Sequence, residues 1–161
     1  MTISRSRPRP DILIRDSEGY PIAIVEVKNI QNLSQDVAME LRHNLIEYGI
    51  PARVPYFLLL SQDVGFLWKT SNHLDLDAPP NYEFPMDKIV TRYLKEDSER
   101  RPYGSILELV VFQWLNDLAT NPGNANEEPE KTLSLSGFIT SIKDAAIFDK
   151  DVGAASTIRT S

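Results

Sequence analysis

Residues 9–29, RPDILIRDSEGYPIAIVEVKN, consist of two short apolar runs separated by a turn. The runs DILIRD and IAIVEVK are rich in β-branched residues and predict two strands. Glycine and proline in the intervening SEGYP favour a turn, so the stretch predicts a β-hairpin. This hairpin carries Asp11, Glu26 and Lys28, three charged residues that an ordinary buried hairpin does not need.

The turn predicts the register of the hairpin. A turn centred between Glu18 and Gly19 sets Asp11 opposite Glu26, and directly opposed side chains have Cβ atoms about 4.5–5.5 Å apart. Two carboxylates at that distance repel each other and raise each other's pKa, unless a cation lies between them. A hard ion such as Mg²⁺ binds one or two carboxylates together with water and phosphate oxygens. The sequence therefore predicts a metal site at Asp11 and Glu26, within reach of the backbone carbonyl of Val27.

Lys28 lies two residues after Glu26 and therefore shares its face of the strand. An ammonium group there can orient or deprotonate an attacking water and offset negative charge that develops on a phosphorus centre. The alternative is that Asp11, Glu26 and Lys28 are solvent-facing residues of an amphipathic strand, as most E-x-K tripeptides are. We favour the functional interpretation because Asp follows Pro at a strand start, E-x-K ends the next strand, and an amphipathic helix follows.

Beyond the hairpin, the sequence predicts a helix with an N-cap at Ser34 and a stop at Gly49, since apolar residues there recur with helical period. The apolar face of that helix is predicted to comprise Val37, Leu41, Leu45 and Tyr48. The run YFLLL at 56–60 predicts a central buried strand. Further elements are predicted as a last strand at 66–70 and helices at 86–95, 105–119 (with Ser105 and Glu108 as a capping box) and within 133–148. This order indicates an α/β or α+β protein.

The composition of the 161 residues limits the classes of protein that are expected. Without cysteine and with two histidines, the chain is expected to bind any metal as a hard ion through oxygen. No apolar run approaches the roughly 18 residues of a membrane span, and the basic N-terminus lacks the apolar segment of a secretory signal. A cytoplasmic protein without a membrane partner is therefore expected. The net charge of −6 argues against non-specific coating of nucleic acid but allows a local basic groove.

Pro10-Asp11 followed by Glu26-Val27-Lys28 resembles the PD-(D/E)xK nuclease superfamily, and the similarity extends over its β-hairpin–helix–strand core, here about residues 9–70. Similar types include the N-terminal domains of type I restriction R subunits and some small cyanobacterial proteins. The resemblance implies a restriction-endonuclease-like mixed sheet flanked by helices. It also implies an endonuclease that uses Mg²⁺ or Mn²⁺ to hydrolyse nucleic acid, DNA in preference to RNA, in restriction, repair or mobile-element biology. Asp11 and Glu26 would be the metal ligands and Lys28 the catalytic lysine.

The resemblance also implies further contacts from the helix and from the N-terminal arm. In similar nucleases a polar residue on this helix reaches the active site or a phosphate, and Gln35 is the candidate here. Arg42 lies seven residues later in nearly the same stripe, and it is predicted to contact either a phosphate or Glu40 and Glu47 in a surface ion pair. The N-terminal arm is either a solvated terminus or a nucleic-acid-binding segment, with Arg5, Arg7 and Arg9 as its basic residues.

One departure from the superfamily pattern opens a second class of function. The superfamily usually places a helix and a strand before the Pro-Asp motif, and that helix often supplies another acid. Only residues 1–9 precede the motif here, and they contain no acidic residue. Truncation, loss of the element and its supply by a partner are the alternatives. The second function hypothesis is accordingly a catalytically inactive protein of nuclease fold that acts as an interaction or scaffolding subunit.

The predicted organisation is a nuclease domain at residues 1–120, with helices from about residue 86, followed by a polar linker and a short helix at 121–161. The helix at 105–119 is apolar over an arc that is too wide for the surface of a small monomer. We therefore expect it to be buried on both sides, partly by a second subunit. Nucleases of this type that cut both strands often pair, which makes a homodimer the expected assembly.

Overall fold

The computed structural model describes residues 9–51, 53–70, 74–94, 104–123, 125–150 and 153–154. The strands are β1 (Ile12–Arg15), β2 (Pro21–Val27), β3 (Tyr56–Leu60), β4 (Val64–Lys69), β5 (Tyr82–Pro85), β6 (Ala146–Asp149) and β7 (Gly153–Ala154). The helices are α1 (Gln35–Tyr48), α2 (Asp87–Tyr93), α3 (Gly104–Thr120), α4 (Glu130–Leu135) and α5 (Phe138–Ser141).

A mixed seven-stranded sheet runs through the described part of the chain in the order β5-β4-β3-β2-β1-β6-β7. Strands β2 and β3 are parallel and are connected by α1, whereas the other neighbouring pairs are antiparallel. Helices cover both faces of this sheet, so two hydrophobic clusters form, one on each side. The predicted mixed α/β character of the α+β class is therefore confirmed.

The hairpin has the register that its turn predicts. Ile12 pairs with Val25 and Leu13 with Ile24, and a bulge follows between Ile14 and Arg15. The turn is held by the Asp16 carboxylate, whose Oδ1 accepts hydrogen bonds from the backbone N–H groups of residues 18 and 20, both at 2.9 Å. Gly19 adopts a φ of 91°, a conformation that glycine reaches without steric cost. Because the turn fixes this register, the residues before β1 lie opposite those at the end of β2.

Helix α1 begins and ends where the sequence predicts. The Ser34 hydroxyl accepts a hydrogen bond of 3.2 Å from the backbone N–H of Val37, and Gly49 ends the helix in the left-handed region at a φ of 120°. The predicted apolar face is wrong at two of its four residues, however, because Val37 is 44% exposed and Tyr48 is 72% exposed. Leu41 and Leu45 are only partly buried, and the fully buried positions of the helix are Ala38 and Arg42.

Arg42 lies on the buried face of the helix, because its guanidinium packs into the core. The guanidinium carbon lies 5.1 Å from the ring centroid of Trp68 and 5.7 Å from that of Phe57. Its Nη1 donates to the backbone carbonyls of Asp75, at 3.1 Å, and Leu76, at 3.4 Å. With 3% of its surface exposed, Arg42 fits neither the surface ion pair nor the phosphate contact that the sequence suggested.

Helix α3 is buried largely by its own chain. It packs on the sheet face that carries Ile12 and Ile14, beside α2 and β6. The buried residues of the helix are Leu107, Val110, Val111, Phe112, Trp114, Leu115, Leu118 and Ala119. Ile106 and Leu109 remain 39% and 47% exposed. The wide apolar arc therefore does not require a second subunit, and the homodimer stays a prediction. Among the helices that the structure describes, none has the length and apolar character needed to cross a membrane.

The segment after α3 differs most from the prediction. A helix was predicted within 133–148, but residues 146–149 form β6, which pairs with β1, and only α5 and the end of α4 are helical. Strand β5 was not predicted, and β4 begins at Val64 rather than at residue 66. These strands are short, and their pairing with distant strands decided their structure. Gly65, for example, leaves the space that the Phe84 ring fills.

Buried Glu130 connects three of the helices on the α3 side. Its Oε2 accepts hydrogen bonds from Arg92 Nη1 at 2.9 Å and from Trp114 Nε1 at 3.0 Å. Burial alone raises the pKa of Glu130, but the bonds from Arg92 and Trp114 outweigh it and keep the pKa below its ordinary value. The predicted polar linker at 121–130 therefore ends in a residue that is packed against the main body.

The buried position of Arg42 predicts a loss of stability for Arg42→Lys. Lysine keeps the charge but loses the planar group that stacks on Trp68 and Phe57 and the paired bonds to carbonyls. We expect the free energy of unfolding in urea to fall by about 1–3 kcal/mol. Arg53→Lys is the matched control, because Arg53 is exposed and its replacement should change stability by less than about 0.5 kcal/mol. Equal stability of Arg42→Lys and wild type would contradict the packing argument.

Candidate functional site

Asp11 and Glu26 lie opposite each other at the open end of the hairpin, as the register predicts. The Asp11 backbone N–H donates to Glu26 Oε2 at 3.1 Å, and the Val27 backbone N–H donates to Asp11 Oδ2 at 2.8 Å. Both residues are buried, with 7% and 3% of their surface exposed. The two bonds fix both carboxylates across the strand pair, so the structure brings this predicted pair together.

Strand β6 adds a cation to the pair. Asp149 pairs with Ile12, which places Lys150 beside Asp11, and the Lys150 backbone N–H donates to the Asp11 carbonyl at 3.0 Å. The Lys150 Nζ also donates to Asp11 Oδ1. Glu26, Asp11 and Lys150 therefore form one row across β2, β1 and β6. Lys150 was not predicted at the site, because a helix within 133–148 was predicted just before it, where β6 lies.

The other predicted site residues are Lys28, Gln35 and the arginines of the N-terminal arm. Lys28 is half-buried directly after β2, where its backbone N–H donates to the Leu60 carbonyl at 2.8 Å. Its charge lowers the pKa of Glu26 and so favours the ionised form of that carboxyl. Gln35 is the exposed first residue of α1, at the sheet edge where β2 ends. Arg9 is exposed beside Asp11, whereas Arg5 and Arg7 lie outside the described residues.

Burial and the neighbouring acid make Glu26 a weak acid. Burial raises the pKa of Glu26 to about 7, and the charge of Asp11 acts in the same direction. The hydrogen bond from the Asp11 backbone and the charges of Lys28 and Lys150 lower that pKa only in part. Such a buried carboxyl with a specific charge partner is typical of functional sites. At neutral pH Glu26 is therefore only partly ionised.

Helix α3 contributes a further carboxyl group that the sequence analysis assigned to a capping box. Glu108 shares a hydrogen bond with Asp149, and burial, this bond and the charge of Asp11 raise the pKa of Glu108 to about 8. Helix α3 already includes Ser105, whose side chain lies outside the described part, so Glu108 serves the site rather than the helix start. The sequence does carry one signal, since Glu108 is the only charged residue in ILELVVFQWL, 106–115.

The donor set suits a divalent cation through two carboxylates. No group of three or more histidine, aspartate or glutamate residues within the described ranges is arranged to hold a metal ion. Mg²⁺ takes one or two carboxylates from a protein and its remaining ligands from water and phosphate, so Asp11 and Glu26 are the residues that could hold it. The ammonium of Lys150 on Asp11 is evidence that the pair accommodates a cation.

Comparison of the chain with models of known protein families, with curated proteins and with solved structures finds no match. The function must therefore be argued from the geometry around Asp11 and Glu26. That geometry combines two buried, opposed carboxylates with two lysines and with a third carboxyl from α3.

The raised pKa of Glu26 predicts how stability depends on pH. Between 4.5, its ordinary value, and about 7, the folded protein holds a proton that the unfolded chain has released. The free energy of unfolding contributed by this group therefore falls as pH rises through that window. Glu26→Gln, which is always neutral, should be more stable than wild type at pH 8, by up to about 3 kcal/mol, and close to wild type at pH 4.

Urea unfolding of both proteins in EDTA at several pH values measures this difference. Glu40→Gln is the matched control, since Glu40 is exposed on α1 and should show the wild-type pH profile. The same pH profile for Glu26→Gln and wild type would mean that Glu26 ionises as readily in the folded protein as in the unfolded chain.

Proposed function

We propose that this protein is a metal-dependent endonuclease of the PD-(D/E)xK, restriction-endonuclease-like type, acting on nucleic acid and on DNA in preference to RNA. The observation that carries the proposal is the buried, hydrogen-bonded Asp11–Glu26 pair, with Lys28 two residues after Glu26. The order β1-β2-α1-β3, with β3 parallel to β2, supports the same assignment. A buried acid pair is costly to the fold, and a bound cation would offset part of that cost.

Asp11 and Glu26 would hold Mg²⁺ or Mn²⁺ through their carboxylates, together with the carbonyl of Val27. When bound, the ion would polarise the phosphoryl oxygens and acidify a water molecule. Lys28 orients the attacking water or accepts its proton, and its charge offsets the negative charge that develops in the transition state. Gln35, at the start of α1, would hold the phosphate or the water.

Two variants test this function. Glu26→Ala removes one of two carboxylate ligands, so it should abolish both Mn²⁺ binding and nicking of plasmid DNA. Lys28→Ala should keep Mn²⁺ binding and lower the rate of cleavage, because the role of the lysine lies in the transition state. Isothermal titration with Mn²⁺ and a nicking assay on wild type and both variants separate these effects. Cleavage by Glu26→Ala at the wild-type rate would contradict the site assignment.

Lys150 predicts the affinity of the site for metal. Its ammonium bonds Asp11, so a divalent cation at Asp11 has to displace it. Lys150→Met should therefore bind Mn²⁺ more tightly than wild type, by up to about fivefold if the lost ion pair is worth about 1 kcal/mol. Lys143→Met is the matched control, because Lys143 is an exposed lysine of the same segment and should leave Mn²⁺ affinity unchanged. Weaker binding by Lys150→Met would show that Lys150 assists the metal rather than competing with it.

A second candidate function is a non-catalytic interaction or scaffolding subunit with a nuclease-type fold. The ion pair between Lys150 and Asp11 favours it, because an internal ammonium neutralises the pair without any metal. The two candidates differ in the behaviour of the wild-type protein. If wild type neither binds Mn²⁺ nor cleaves DNA or RNA, the nuclease proposal fails and the scaffolding function takes its place.

A further inference from the structure

A groove of about 450 Å³ lies on the sheet beside the Asp11–Glu26 pair. Its floor is a cross-strand row in which Leu13 of β1 is paired with Phe148 of β6. Side chains alternate along a strand, so this row shares a face with the row two residues further along, which holds Asp11 and Lys150. The groove therefore leads directly to the candidate site.

Phe148 is a partly exposed aromatic residue that the core does not use. It belongs to neither of the hydrophobic clusters that the described residues form, although its partner Leu13 packs against the cluster under α1. That cluster lies over β2, β3 and β4, so within the described part of the chain the β1–β6 portion of this sheet face is left open beside the helix. A partly exposed aromatic ring thus lies next to the site.

The rim of the groove is positively charged in a protein whose net charge is −6. Three cations, Arg9, Arg15 and Lys150, line it, and Asp149 is the one acidic residue among the described residues of the lining. The Arg15 guanidinium carbon lies 6.0 Å from the centroid of the Phe148 ring, and its Nη1 donates to the Gly19 carbonyl at 2.8 Å. A guanidinium has five N–H donors, so this contact positions Arg15 beside the ring and leaves donors for an anion.

We propose that this groove binds an unpaired nucleic-acid strand. Phosphates would meet Arg9, Arg15 and Lys150, while a base lies against Phe148 and Leu13, the combination of cations and aromatic face that holds single strands. A duplex keeps its base faces stacked inside and cannot offer them to Phe148. The volume is within the range of about 300–1,000 Å³ that encloses small ligands, which suits a nucleotide unit rather than a double helix. Only the delivery of the strand to Asp11 and Glu26 rests on the proposed nuclease function.

Binding in EDTA tests the groove without cleavage. The probe is a short fluorescein-labelled oligothymidylate, alone or annealed to oligodeoxyadenylate, and the measurement is fluorescence anisotropy at several salt concentrations. Wild type should bind the single strand more tightly than the duplex. Phe148→Ala should weaken single-strand binding by about fivefold to a hundredfold, the effect of losing one stacked base.

Arg9→Gln tests the charged rim independently, at an exposed position where the fold is not at risk. It should lower the slope of log affinity against log salt by about 0.7, the effect of one lost phosphate contact on a single strand, whereas Phe148→Ala should leave that slope unchanged. Tyr48→Ala and Arg53→Gln are matched controls, being an exposed aromatic residue and an exposed arginine outside the groove. Both controls should bind the strand as wild type does.

The outcomes separate this inference from the nuclease proposal. If wild type neither binds Mn²⁺ nor cleaves but binds the single strand through Phe148 and Arg9, the groove stands and the nuclease proposal fails. If wild type cleaves DNA while Phe148→Ala and Arg9→Gln bind the strand as wild type does, the groove inference is overturned and the nuclease proposal stands. Equal affinity for strand and duplex, or no binding of either, also overturns the groove inference.

Discussion

The pairing of β1 with β2 is the constraint on which the rest of the site depends. A slip of one residue would move every side chain of β1 to the other face of the sheet. Asp16 and Gly19 prevent that slip by fixing the turn, and the reciprocal bonds at Asp11 and Glu26 fix the open end. The hairpin is therefore held at both ends by polar contacts and along its length by apolar packing on both faces.

Charge balance explains why this part of the fold is costly. Two carboxyl groups are taken out of water within one strand pair, and a third arrives from α3. Backbone N–H groups and the ammonium groups of Lys28 and Lys150 offset this cost only in part, so the pKa of Glu26 remains raised. A bound cation would offset the rest of this cost, and this is the physical basis of the proposed function.

The two faces of the sheet are covered to different extents. One face is closed by α3 and its neighbouring helices, which bury most of the large apolar side chains. The other face is closed only partly by α1, where Arg42 packs on Phe57 and Trp68. Because α1 covers β2, β3 and β4, the described residues leave part of the surface of β1 and β6 open beside the acidic pair. This partial cover leaves room for the groove, and Arg9, Arg15 and Lys150 give it cationic groups on a protein that is acidic overall.

The sequence by itself determined the hairpin and its register, both ends of α1, the central strand β3 and the opposition of Asp11 and Glu26. These features are set by neighbours in the chain: a glycine turn, a serine cap, a glycine stop and alternating β-branched residues. Only the tertiary structure decided the buried face of α1, the strand β6 and the arrival of Glu108 and Lys150 at the site. Each of these depends on contacts between residues far apart in sequence, whose energy local patterns do not contain. Lys150 reaches Asp11 because β6 pairs with β1. Glu108 reaches Asp149 because α3 packs on the sheet face that carries Ile12 and Ile14.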